Sequence, residues 1–268
     1  MSATFITQEQ FDEIEDCVSF LADAPDRVKQ FNAALFTLPD FLKPAAPLSD
    51  MLEGQRQMAV WRGGYYEVSY RQLHQILVDA LYFFDYLIPQ IQPPSTADPD
   101  GLAATLSRIP APPGPPPASA LRPITHCLQA YDYHVRMMGQ GATYAVFNRA
   151  LFNATRKSFG QVLPRILDFM SAQLQIAERL NLPANRLKTA RDMRTEAHRH
   201  YTFGMNGMAN LMAQQSRIST LVGGINQHFN LLLDLGTLRR FRADLEVIQL
   251  QATQAQRYCA EILALRRP

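Results

Sequence analysis

The C-terminal stretch LRRFRADLEVIQLQATQAQRYCAEI, residues 238–262, carries the most regular hydrophobic pattern in the chain. Its apolar residues recur at alternating steps of three and four, which is the spacing of a heptad seam along one helix face. We expect this seam to pack against other helices of a bundle, with an intermolecular coiled coil as the alternative. The seam consists of Leu238, Phe241, Leu245, Ile248, Ala252, Ala255, Cys259 and Ile262.

The rest of the C-terminal half is also predicted to be helical. From Thr125 onward, helix-compatible residues run with few interruptions, chiefly Pro164, the turn NLPAN at 181–185 and several glycines. A short helix, a longer one from about Thr143 to Leu180 and a very long one from about Asn185 are predicted. We therefore predict a mainly α fold in which residues 124–268 form a basic bundle of long helices.

The N-terminal region, residues 1–92, is also predicted to be helical, and it is acidic. Thr7 and Gln10 have the spacing of a capping box, so a first helix should begin at about Gln8. Near residues 57–69, two short runs rich in β-forming residues flank Gly63-Gly64, a two-residue turn signal. We expect one small β-hairpin there, and the alternative is a helix, a glycine break and a second helix.

Residues 93–123 differ from both flanking regions because they hold ten of the 18 prolines in the chain. Proline lacks the backbone N–H that helices and inner strands require, and proline-rich segments favour the extended polyproline conformation. We expect this range to be a linker or an arm. A polyproline ligand for an aromatic-lined groove of another domain is the alternative.

Charge is divided unevenly along the chain, although the net charge is only +2. Residues 1–100 carry 15 acids and 6 bases, whereas residues 101–268 carry 9 acids and 20 bases. No carboxylate occurs between Asp132 and Asp168, so Arg149 and Arg156, which share one helix face, have no acid within a turn of the chain. A helix face of this kind is a typical phosphate-binding surface. The predicted phosphate-binding residues in this window are Arg149, Arg156, Lys157 and Arg165.

A second basic cluster lies in NRLKTARDMRTEAHRH, residues 185–200. Arg191 and Arg194 are three residues apart, so a helix would place them on one side. We add both to the predicted nucleic-acid contacts. An acidic protein surface, including the acidic half of the same or a neighbouring chain, is an equally weighted alternative ligand.

The sequence offers little that indicates catalysis. Glu196 and His200 would share a helix face, but zinc needs a third convergent ligand, and none has suitable spacing. Cys17, Cys127 and Cys259 are far apart and odd in number, which favours separate buried thiols. We expect no catalytic residues, no metal and no cofactor. We also expect an intracellular, soluble protein without a signal peptide or a transmembrane segment.

These patterns together predict a non-enzymatic, self-assembling helical protein, similar in function to a coat protein or nucleoprotein. The opposite charge of the two halves suits head-to-tail contacts in a homo-oligomer. The nearly uncharged helix at 197–233, expected to be buried on most sides, and the proline-rich arm support the same hypothesis. An adaptor or effector module that binds another protein is the first alternative, and a membrane-active helical protein is the second. From the sequence we do not expect a membrane to be a partner.

Overall fold

The computed structural model describes residues 6–36, 48–62, 65–90, 118–232 and 241–265. Every regular element in these ranges is a helix, and none of the described residues lies in a strand. The mainly α prediction is confirmed. The helices are α1 Gln8–Ala22, α2 Ala24–Leu35, α3 Leu48–Arg62, α4 Tyr65–Gln90, α5 Ala118–Arg179, α6 Ala184–Leu232 and α7 Phe241–Leu265.

The β-hairpin predicted near residues 57–69 is wrong. Helix α3 continues to Arg62 and helix α4 begins at Tyr65, so the alternative with two helices flanking the glycines is the correct one. The physical reason is the burial of α4. Tyr70, Leu73 and Leu77 recur at helical spacing and are completely buried. Tertiary packing of that face outweighs the local β propensity of a short run.

Some helix boundaries agree with the local sequence signals and others do not. Thr7 caps α1 as predicted: its side chain accepts a hydrogen bond from the Gln10 backbone N–H, and the Gln10 side chain binds the Thr7 backbone N–H. The two helices expected between Thr125 and Leu180 are instead one continuous helix, α5. Because α5 begins at Ala118, it includes the last residues of the range 93–123. Residues 93–117 lie outside the described residues, and the linker or arm stays a prediction.

The chain divides into two compact units, each discontinuous in sequence. The first unit contains Met1–Tyr66 and Ala150–Gln214, and the second contains Glu67–Arg149 and Gln215–Pro268. Each unit therefore combines segments from the acidic and the basic parts of the sequence. Helices α5 and α6 contribute residues to both units.

Glycines allow very close helix packing in the first unit. A Cβ atom added at Gly204 of α6 would lie 2.3 Å from Cys17 Cβ of α1. One added at Gly207 would lie 2.6 Å from the Gln10 carbonyl oxygen. A helix without side chains at these positions can approach another backbone directly. Gly54 of α3 meets side chains of both α1 and α5, so α3 joins the same core.

The second unit packs α4, α7 and the adjoining parts of α5 and α6 together. A Cβ at Gly141 of α5 would contact Leu73 of α4 at 3.3 Å and Val222 of α6 at 3.5 Å. Helix α7 is tied to α4 by a 2.9 Å hydrogen bond from Gln249 Nε2 to Asp85 Oδ1. The described contacts thus connect four helical segments around one core.

The heptad seam of α7 packs within this unit. Ile248, Ala252, Ala255, Cys259 and Ile262 are completely buried. Leu238 lies outside the described residues, as do the side chains of Phe241 and Leu245. Because these five seam residues are buried within a single chain, this part of the seam packs inside the second unit. Burial also raises the pKa of the Cys259 thiol to about 12.

Over residues 197–228, helix α6 exposes only a narrow stripe to water. One stripe, including Met208, Leu211 and Ile218, faces the core, while Asn206 and Arg217 are exposed. The expectation that residues 197–233 are buried on most sides fits the described part, because only eight of residues 197–228 are exposed and the others are buried or half-buried. No described helix contains a stretch that is both long and apolar enough to cross a bilayer.

Candidate functional site

The six predicted phosphate-binding residues fall into two groups. Arg149 in the second unit and Lys157 in the first are exposed on α5, and neither forms an ion pair with another described residue. Arg156 is half-buried, and its Nε atom is buried without a hydrogen-bond partner among the described residues. These three side chains retain positive charge that the described fold does not neutralise.

Arg165 and Arg191 are paired with carboxylates from other helices. Arg165 Nη1 lies 2.6 Å from Asp50 Oδ1 of α3. Arg191 Nη2 of α6 lies 2.6 Å from Glu178 Oε1 of α5. Both pairs are at least partly exposed, so each contributes little to stability. Their charge is nevertheless partly neutralised, which makes these arginines weaker candidates for a phosphate ligand.

Arg194 has a structural contact as well. Its Nε atom donates a 2.7 Å hydrogen bond to Ser171 Oγ, linking α6 to α5 in a partly buried position. The sequence could not show that this arginine and those at 165 and 191 meet partners in the fold. A sequence pattern reveals partners within a few residues, whereas the partners of these arginines lie 13 to 115 residues away.

A polar cluster that the sequence did not predict lies at the contact of α1, α2 and α6. Arg27 Nη1 is 3.2 Å from Glu196 Oε1, and its guanidinium lies 5.2 Å from the centroid of the Phe20 ring. The His200 ring stacks on Phe20 with their centroids 5.7 Å apart, and His200 Nε2 is 3.5 Å from Glu196 Oε1. The i, i+4 spacing of Glu196 and His200 was visible in the sequence, but the approach of Arg27 and Phe20 was not.

Ionisation of Glu196 depends on two opposing effects. Burial disfavours the charged carboxylate, but hydrogen bonds from Arg27 and His200 favour it more strongly. The pKa of Glu196 is consequently lowered. Glu196 is therefore a carboxylate engaged by two neighbours, which suits a structural contact between α2 and α6 better than proton transfer.

A cleft of about 400 Å³ opens beside this cluster. Two methionines and an aromatic ring form its apolar part, and its charged lining residues are three carboxylates and one guanidinium. Such a lining can accept a cationic group but offers no activated nucleophile. No group of three potential metal ligands occurs within the part of the chain that the structure describes. The lining residues are Phe20, Asp23, Asp26, Arg27, Gln30, Met170, Met193 and Glu196.

Two histidines of the second unit are engaged in packing. The His134 ring stacks on Phe83 at 4.1 Å, and His74 Nε2 lies 3.0 Å from Gln256 Nε2 of α7. Burial lowers the pKa of both histidines. Both rings thus take part in packing within the second unit.

No protein-family model, no curated protein and no solved structure matches the chain.

Proposed function

We propose that the protein is a non-enzymatic helical scaffold that self-associates and binds nucleic-acid phosphates through exposed cations of α5. The observation that carries this proposal is the exposure of Arg149 and Lys157 without an ion pair to another described residue. Both lie in the stretch of α5 that contains no carboxylate. Arginine and lysine contact phosphates without reading base sequence, so binding should be strong at low salt and insensitive to sequence.

The contacts of three of the six predicted residues make those residues weaker candidates for binding phosphate. Arg165 and Arg191 each lie 2.6 Å from a carboxylate, and Arg194 is bonded to Ser171. We therefore assign the main phosphate contacts to Arg149, Arg156 and Lys157 and a minor contribution to the other three.

The opposite charge of the two halves of the sequence does not by itself support self-association. The pair between Asp50 and Arg165 shows that acidic and basic parts of the sequence meet inside one unit. Exposed apolar side chains in the second unit are the stronger support. Phe147 of α5 is 51% exposed and Leu250 of α7 is 60% exposed. Single exposed apolar side chains are common on proteins, so we take these two as the contacts to test, with a second copy as the partner that a scaffold requires.

The test of phosphate binding uses two double variants with the same change in net charge. Arg149→Gln/Lys157→Gln removes two unpaired cations, and Arg165→Gln/Arg191→Gln removes two paired ones. Binding of a labelled 30-nucleotide RNA is followed by fluorescence anisotropy between 50 and 300 mM salt. We expect the first variant to weaken binding about tenfold and to reduce the salt slope by about 1.4, because each single-strand phosphate contact contributes about 0.7. The second variant should bind nearly as the wild type.

Light scattering tests assembly in the same samples. We expect particles larger than a monomer, and a smaller mass for the variant Phe147→Ser/Leu250→Ser. A wild-type protein that stays monomeric and ignores RNA at every salt concentration would contradict the proposal. The proposal is also contradicted if Arg149→Gln/Lys157→Gln and Arg165→Gln/Arg191→Gln lose RNA binding equally, since the unpaired cations would then have no special role.

The adaptor hypothesis remains the second candidate because the same exposed apolar residues suit an unrelated protein partner. Light scattering distinguishes the two hypotheses. A scaffold increases in mass with its own concentration, whereas an adaptor stays monomeric until its partner is added.

A further inference from the structure

The turn between α5 and α6 is held rigidly by backbone hydrogen bonds. Asn181 adopts a φ of 53°, in the left-handed region that asparagine tolerates. The Asn181 N–H donates to the Glu178 carbonyl at 3.0 Å, and the Leu182 N–H donates to the Ala177 carbonyl at 3.2 Å. This pair of bonds is a Schellman motif, which satisfies the last carbonyls of α5. The turn is therefore a fixed surface of the first unit.

Two large aliphatic side chains are exposed next to this turn. Ile176 is 43% exposed and Leu180 is 61% exposed. They are four residues apart on α5, so they lie on one side of the helix. The last turn of α5 thus presents a small apolar surface to water.

Three cations occur in the same hairpin end, within eight residues of Leu180 along the chain. Arg179 and Lys188 are exposed, Arg186 is half-exposed, and none of the three forms an ion pair with another described residue. The acid closest in sequence, Glu178, is occupied by Arg191 at 2.6 Å. The end of the helical hairpin, residues 176–188, therefore combines exposed aliphatic groups with unneutralised positive charge.

We propose that this hairpin end, residues 176–188, is a peripheral anchor that binds the surface of an anionic lipid bilayer. Aliphatic side chains enter the boundary between headgroups and acyl chains, and flanking cations bind anionic headgroups. A nucleic acid would engage the cations but would leave Ile176 and Leu180 in water. The anchor lies on the surface of the bilayer, so it requires no membrane-spanning helix, and it extends beyond the nucleic-acid binding proposed above.

The test measures co-sedimentation of the full chain with vesicles of phosphatidylcholine alone or with 30% phosphatidylglycerol. We expect the wild type to bind the anionic vesicles at least tenfold more tightly. Arg179→Gln/Lys188→Gln should weaken this binding about thirtyfold, because each cation near an anionic surface contributes about fivefold. Ile176→Ser/Leu180→Ser should weaken it about tenfold or more, through loss of apolar burial.

Leu52→Ser is the matched control, because Leu52 is 55% exposed on α3 of the same unit. It should bind vesicles like the wild type, and circular dichroism should show all variants folded. The proposal is overturned if the wild type does not bind anionic vesicles, or if Ile176→Ser/Leu180→Ser binds them normally. An equal loss in Leu52→Ser also overturns it. Because RNA binding depends on Arg149 and Lys157, it should be intact in Ile176→Ser/Leu180→Ser, so the two proposals can fail separately.

Discussion

Replacement of Gly204 by alanine tests the tightest packing found at any described glycine. The new Cβ would lie 2.3 Å from Cys17 Cβ, 2.9 Å from Cys17 Sγ and 3.2 Å from the Glu13 carbonyl oxygen. Two carbon atoms need about 3.5 Å or more, so α1 and α6 must separate by over about 1 Å. A Cβ atom is fixed to its backbone, and no change of rotamer can relieve this clash.

The magnitude follows from two opposing contributions. Overpacking of a core costs about 1–3 kcal/mol, and the absence of rotamer relief places this substitution at about 3 kcal/mol. Alanine in a helix interior is about 1 kcal/mol more favourable than glycine. We therefore expect Gly204→Ala to lower the free energy of unfolding by about 2 kcal/mol. Urea unfolding followed by circular dichroism measures this difference.

Gly160→Ala is the matched control in the same unit. Its new Cβ would meet only Met205 Cε at 3.3 Å, the flexible end of a side chain that can move. Gly223→Ala, with no described heavy atom within 4 Å, provides a second control in the other unit. Both should be neutral or stabilising by up to about 1 kcal/mol. If Gly204→Ala is as stable as these controls, α1 does not pack on α6 as described.

Three further predictions concern capping, thiols and pH. Thr7→Ala should destabilise the protein by about 1 kcal/mol in urea unfolding, and an unchanged midpoint would show that the cap is not formed in solution. Burial raises the pKa values of Cys17 and Cys259 to about 12. Iodoacetamide at pH 8 should therefore leave both thiols unmodified until urea unfolds the chain, as measured by peptide mass spectrometry. Rapid labelling of either thiol in the native protein would argue against its burial. Because burial lowers the pKa values of His74 and His134, the unfolded chain binds more protons below pH 6.5, and stability should fall as pH drops from 7 to 5. His134→Phe should reduce that pH dependence, and an identical dependence in the variant would show that His134 is not its source.

Local physical chemistry allowed much of the helical structure to be predicted from sequence. The Thr7 capping box marks the start of α1, since its donors and acceptors are three residues apart. The period of three and four in α7 predicted a buried face, and Ile248 and Ile262 are completely buried there. The turn at NLPAN ends α5 because Asn181 adopts the left-handed conformation and Pro183 follows it.

Contacts between distant residues were decided by the tertiary structure alone. Arg27 and Glu196 are 169 residues apart, and Arg165 and Asp50 are 115 apart, so no local pattern could pair them. These pairings decide which arginines remain available to an anionic ligand. The helical conformation of residues 65–69 also depended on packing, since burial of the α4 face that begins at Tyr70 outweighs their local preference for strand. The sequence by itself determined the start of α1, the buried face of α7 and the turn after α5, because capping and periodicity act over a few residues. Only the fold decided which charges are neutralised, because ion pairs depend on distance in space.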